Sequence, residues 1–213
     1  MRFVTFVCLL LAAVLVCSTL AQAGPVSAKL KADELARVKK GEIILKNIID
    51  EQTQKGYGSA FAVYKGTKDE FWKVILDYEH YLDIYPRLKK VTPISKTADT
   101  YLVEFYLDAS IKTIIYTTIN KLSADKSKVS WTLDPNRPHE YLKRTDGYWQ
   151  LEELEPGLLL AEYRVEVELD MGTGVIASLV NRVVRAMSKD DLPEVMDCTR
   201  KRLESGGTWK RKK

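Results

Sequence analysis

Leu158-Leu159-Leu160-Ala161-Glu162-Tyr163-Arg164-Val165-Glu166-Val167-Glu168-Leu169 decides the fold class. Leu159, Ala161, Tyr163, Val165, Val167 and Leu169 fall on one side of an extended chain, with Glu162, Arg164, Glu166 and Glu168 on the other. Strict alternation of this kind marks a β-strand with one covered face and one wet face. The same period runs back along the chain. Tyr101, Val103, Phe105 and Leu107 alternate with Leu102, Glu104, Tyr106 and Asp108, and Val129, Trp131 and Leu133 with Lys128, Ser130, Thr132 and Asp134. Turn residues at Ala98-Asp99, Ala124-Asp125-Lys126, Asp134-Pro135-Asn136 and Pro156-Gly157 separate these runs. Leu88 to Leu169 therefore predicts an antiparallel sheet, of about six or seven strands.

Helical signals flank the sheet. Lys29 to Lys40 places Leu30, Leu35 and Val38 on one side, and Glu42 to Tyr64 reads as strand interrupted at Gly56-Tyr57-Gly58 by a bulge or turn. Thr67-Lys68-Asp69-Glu70 is a capping box that opens a short helix through Phe71, Trp72, Ile75 and Leu76. A second short helix follows through Tyr81 and Ile84, and Pro86 stops it. Near the C-terminus Val175, Ile176, Leu179, Val180, Val183, Val184 and Met187 form a stripe at helical spacing. Pro193 predicts a kink or break between Lys189 and Leu192, with Asp191 as an N-cap, and Gly206-Gly207 ends the helix. The order gives an α+β domain: a curved antiparallel sheet wrapped on a long C-terminal helix, with two short helices after the first strand. The space between sheet and helix is where a ligand cavity is expected.

Composition narrows the function. With 46% apolar and 29% charged residues the chain is globular, and 33 Lys+Arg against 29 Asp+Glu is too weak a bias for nucleic acid binding. Met1 to Ala23 reads as a signal peptide: an apolar run from Phe3 to Leu20, then Ala21-Gln22-Ala23 before Gly24-Pro25. The competing reading is a membrane anchor. Cys8 and Cys17 leave with the signal, so Cys198 stands alone as a small buried residue and no internal disulfide forms. That absence, with the lack of any Asn-x-Ser/Thr sequon, points to a bacterial periplasm. The domain layout is then signal peptide 1–23, N-terminal lead and helix 24–41, ligand-binding domain 42–205, and basic tail 206–213.

Thr67 to Tyr78, Tyr85-Pro86 and the helix around Asn181-Arg182 resemble the START-like, or SRPBCC, superfamily, which includes polyketide cyclase/dehydrase, lipid-transport and coenzyme Q-binding proteins. The resemblance implies a helix-grip fold and a hydrophobic ligand between sheet and helix. It implies no particular chemistry, because many members are not enzymes.

No nucleophile elbow, phosphate loop or metal-ligand spacing occurs, and no cofactor or metal is expected. His80 reads as a surface residue, and Arg144 and Asp146 as solvent-face charge. The candidate ligand-binding residues are Phe105, Tyr116, Trp131, Trp149 and Tyr163 on the sheet, faced by Val180, Val183 and Met187 on the helix. Rings so numerous are difficult to pack against a Val- and Ile-bearing helix without leaving space. The sequence thus favours a monomeric, non-enzymatic periplasmic protein that binds or carries a lipid, isoprenoid or quinone-like molecule. The alternatives are a cyclase/aromatase-like enzyme on a polyketide or aromatic substrate, and an interaction module with a filled core. Trp209 and Lys210-Arg211-Lys212-Lys213 could touch an anionic membrane, their bland alternative being a solvated end. N-terminal sequencing of exported protein should begin at Gly24-Pro25-Val26, and a start at Met1 would restore the membrane-anchor reading.

Overall fold

The computed structural model describes residues 24–50, 55–108, 113–139, 141–169 and 190–212. The stretch 1–23, read above as a signal peptide, lies outside them, as do Val180, Val183 and Met187.

Eight strands form one antiparallel sheet: β1 (Ile44–Asp50), β2 (Lys55–Lys65), β3 (Leu88–Lys96), β4 (Thr100–Asp108), β5 (Thr113–Leu122), β6 (Lys128–Leu133), β7 (Leu142–Glu155) and β8 (Leu158–Leu169). Their order is β1-β2-β8-β7-β6-β5-β4-β3. The count exceeds the expected six or seven because the strand-like stretch at Glu42 to Tyr64 folds back on itself. Asp50 pairs with Lys55, whereas Gly56-Tyr57-Gly58, read above as a bulge or turn, runs straight through β2. Two strands, not one, therefore precede the short helices. Gly58 faces Asn47 on β1 and Val165 on β8. A glycine inside a strand commonly marks close approach rather than chain reversal.

Helix α1 spans Ala32–Lys39, α2 Lys68–Ile75 and α3 Tyr81–Ile84, and α4 is the C-terminal helix Leu192–Glu204. The capping box of α2 is present as expected. The Glu70 N–H donates to Thr67 Oγ1 at 3.3 Å, and the Thr67 N–H donates to Glu70 Oε2 at 2.7 Å. Those bonds hold the Glu70 carboxyl below its usual range. Phe71, Trp72, Val74 and Ile75 bury the other face of α2. They join Tyr64, Trp149, Leu159 and Tyr163 of the sheet, and Leu192, Val195 and Met196 of α4, in the main core.

At the start of α4, Asp191 holds the N-cap position and Pro193 sits in the first turn, where a missing N–H costs little. Asp190 and Asp191 lie in a π-type turn, and Asp191 has helical backbone angles and makes no capping hydrogen bond. Its carboxylate accepts from Arg87 instead. Cys198 is buried, as the sequence suggested, and burial pushes its thiol up to about 11.

The outer face of the sheet is not uniformly wet. Glu162, polar by alternation, is 2% exposed because the N-terminal segment covers it. The Lys29 ammonium reaches Glu162 at 2.5 Å and Gln150 at 2.9 Å, and Ser59 Oγ donates to Glu162 at 3.0 Å. A buried carboxylate survives only with such partners. Val26 and Val38 pack with Phe61 and Leu160 beneath the same segment.

The C-terminal tail is docked rather than solvated as far as Arg211. Arg202, 2% exposed on α4, donates to Asp77 at 2.9 Å, to Asp83 at 3.3 Å and to the Trp209 carbonyl at 2.8 Å. The Arg211 N–H then meets Asp83 at 3.2 Å. This cluster ties the loop between α2 and α3 to the helix. Arg202→Met keeps bulk but strands two carboxylates beside an apolar side chain. Both retain some water contact, which puts the expected loss of unfolding free energy at about 3 kcal/mol, the low end for a broken buried pair. Urea denaturation showing a loss under about 1 kcal/mol would mean that the cluster behaves as a surface pair.

Candidate functional site

Curvature leaves a cavity of about 120 Å³ between the concave face of the sheet, α3 and the first turn of α4. Phe105, Tyr116, Trp131, Trp149 and Tyr163 all line it. Trp131 belongs to β6, Trp149 to β7 and Tyr163 to β8, and register places Trp149 opposite Tyr163. Their rings stack with centroids 4.5 Å apart, and Trp131 leans on Tyr163 at 5.7 Å. Phe105 on β4 stacks on Tyr116 of β5 at 5.4 Å, directly opposite it in the ladder. Strand β5 thus turns the Tyr116 ring inward.

The floor between the two ring groups is made of small residues. Gly58, Val165, Gly147 and Trp131 form one row across β2, β8, β7 and β6. A Cβ on Gly147 would stand 2.1 Å from the Trp131 ring and 2.3 Å from the Arg164 carbonyl, so only glycine fits beneath that indole. Trp131 lies over bare backbone there, and its indole fills the volume that a side chain on Gly147 would occupy.

The two ring groups are bridged by α3, which the sequence reading treated only as a helix. Tyr81 sits 6.0 Å from Phe105, and Tyr85 sits 6.0 Å from Tyr163. The Tyr81 hydroxyl donates to the Ile75 carbonyl at 2.6 Å, and the Trp149 indole N–H donates to the Tyr85 hydroxyl at 3.1 Å. The spacing of Tyr81 and Tyr85, four apart on a short helix, was the available signal, since such pairs meet on one face. Arg87 and Asp191 complete the lining and are the two charged residues among the described ones there. Nothing in the sequence pairs them, because they stand 104 positions apart.

Burial raises every phenol of this lining. Tyr85 is pushed up to about 12, relieved partly by hydrogen bonds, and desolvation lifts Tyr81, Tyr116 and Tyr163 further. Asp191 is raised as well, by burial against the pull of Arg87. The lining therefore offers neutral hydrogen-bond groups and one closed ion pair. Among the described residues no group of three or more side chains could hold a metal ion, and no helix is long and apolar enough to cross a membrane. His80 sits at the surface against Asp77, and Arg144 pairs with Asp146 and Glu166 on the outer face, as their strand phase required.

The family model described as polyketide cyclase / dehydrase and lipid transport matches residues 67–192, more than half of the chain. The chain belongs to this family. Solved structures agree on the fold. An aromatase/cyclase, Zhui, from a Streptomyces species aligns with a TM-score of 0.58 at 15% identity, covering 77% of this chain and 99% of that one. A STAR-related lipid transfer protein from Xanthomonas axonopodis aligns at 0.59 and 15% identity, covering 76% of this chain and 93% of that one. Human STARD10 aligns at 0.58 and 11% identity, covering 76% and 71%. Likeness at such identity speaks for architecture, and the polyketide cyclase and lipid transport family spans both kinds of neighbour. No curated protein matches the chain in sequence.

The raised phenols predict alkaline behaviour. For a group whose folded value lies above the unfolded one, the neutral form stabilises the fold fully below the unfolded value. The Tyr85 contribution is complete below pH 10 and drains away as pH climbs toward 12. The expected loss from this phenol alone is on the order of 2 kcal/mol. Phenolate absorbance should then rise in two phases, exposed tyrosines first and the lining only with unfolding. A single early phase would mean that the lining is open to hydroxide.

Proposed function

We propose that the protein binds and carries a hydrophobic small molecule (lipid, isoprenoid or quinone-like) in this cavity, without catalysing its conversion, after export to a periplasm. The observation that supports the reading most strongly is the lining itself: mostly aromatic and aliphatic side chains, phenols held neutral, the uncharged Thr118, Asn120 and Thr145, and, among the described residues, one mutually paired Arg and Asp. Acid–base turnover near neutral pH needs a group whose pKa lies near the working pH. Phenols pushed upward from 10 move away from that range, and Asp191, raised by burial, is engaged by Arg87, which together weigh against the cyclase/aromatase-like alternative. A filled interaction module is weighed against by the volume that remains.

The magnitude fits a carrier. An engineered apolar cavity of about 150 Å³ takes up benzene, so about 120 Å³ seats a ring or a short stretch of chain. Each further methylene taken from water adds about 0.8 kcal/mol. Exposure of the lining rises from Trp149 and Val129 in the core toward Arg87, so a longer ligand extends in that direction.

Two measurements test the reading. Native mass spectrometry of protein purified from its host should show an adduct of lipid mass. Val165, on the floor between Gly58 and Gly147, is the position to fill. Val165→Trp should weaken uptake of a fluorescent fatty acid analogue by more than about tenfold, the loss of a ring-sized volume of apolar contact. A folded Val165→Trp protein that binds as well as wild type would place the ligand elsewhere.

A further inference from the structure

Arg87 stands at the partly exposed end of the cavity with unused hydrogen-bonding capacity. Its Nε–H donates to Asp191 Oδ2 at 2.5 Å, with the two side chains 28% and 16% exposed. Among the described residues no hydrogen bond or ion pair uses its two terminal NH2 groups, and neither is a buried atom without a partner. A guanidinium held through Nε keeps its other edge free, and two parallel N–H groups there match a carboxylate.

The backbone around Arg87 is fixed. Its carbonyl accepts from the Asp108 N–H at 2.8 Å, and the Pro86 carbonyl accepts from Arg211 at 3.3 Å. Asp191 holds the side chain from the start of α4. A charged donor set in place beforehand loses little freedom when a ligand arrives. We propose that Arg87 recognises the carboxylate of an anionic amphiphile whose apolar part lies among the cavity rings, with Asp191 as the positioning residue. This inference rests on the carrier reading and narrows its ligand class to singly charged acids.

Charge nearby argues for a monoanion. Asp191, Asp190 and Glu194 all lie on the same stretch, and their mutual repulsion is felt by Asp191. A doubly charged phosphate meets that repulsion twice, whereas a carboxylate meets it once and gains a two-point contact. The raised proton affinity of Asp191 offers a further relief, since a proton taken there lowers the repulsion while the group remains in place.

Calorimetric titration of the mature wild-type protein with decanoate, 1-decanol and decyl phosphate tests the proposal. Decanoate should bind at least about tenfold tighter than decanol, the usual gain from a charge-assisted pair, and tighter than decyl phosphate. In Arg87→Gln that preference should vanish, decanoate losing at least about fivefold more affinity than decanol. Asp191→Asn keeps an acceptor for Nε–H while removing a charge, so decanoate should gain about threefold to tenfold relative to decanol. Equal binding of acid and alcohol, an equal loss of both in Arg87→Gln, or preference for the phosphate overturns the inference and leaves the carrier reading standing. Absence of binding by acid and alcohol alike overturns both.

Discussion

A buried indole N–H cannot be left without an acceptor, and in this fold the one on Trp149 finds it on a different element. Trp149 is 1% exposed in the middle of β7, and its N–H reaches the Tyr85 hydroxyl just beyond α3. An orphaned donor there would cost about 1–3 kcal/mol, so the bond fixes how α3 lies across the sheet. The same indole stacks on Tyr163 and meets Phe71 of α2 edge-on at 5.5 Å. One side chain thus registers the sheet against both short helices. The cavity wall follows, because Tyr81 and Tyr85 can reach Phe105 and Tyr163 only from that placement.

The open volume depends on an opposite device, the removal of side chains. Interior packing in proteins is dense enough that a cavity must be built by omission. Gly58 and Gly147 flank Val165 across three strands, and Trp131 closes the row by lying on Gly147. A large ring over a missing Cβ lets the sheet bend without a collision between β6 and β7. The result is a wall of large rings above a floor of small residues. Rings alone, which the sequence reading counted as the sign of a cavity, would pack shut without that floor.

What could be read from the sequence tracks the range of the forces involved. The strand at β8 and the Thr67–Glu70 box rest on local patterns, and both form where expected. Inward phase along β4, β6, β7 and β8 brought Phe105, Trp131, Trp149 and Tyr163 into one cavity, since a single register governs a whole strand. The reversal between β1 and β2 was misplaced because Gly56 and Gly58 carry a turn signal, whereas the chain turns between Asp50 and Lys55 and both glycines pair inside β2. Asp191 stands at the N-cap position but makes no capping bond, because its carboxylate accepts from Arg87, on a segment no local pattern connects to it. Glu162 is diverted likewise: its polarity fits a wet face, but Lys29 arrives from 133 residues away to cover it.

These long-range ion pairs share a position as well as an origin. Lys29–Glu162, Arg202–Asp77 and Arg87–Asp191 each join a segment flanking the sheet to the layer beneath it. Apolar packing is tolerant of sliding, and a charged pair is not, because displacement leaves a desolvated charge behind. In the first two, one partner is 2% exposed, and displacement would be costly. In the Arg87–Asp191 pair neither partner is sealed to that degree, so water reaches both ends of the contact. The fold thus keeps its two most sealed pins at the N-terminal lead and the C-terminal helix, and the third beside the cavity, where a guanidinium is held in place and still reachable from water.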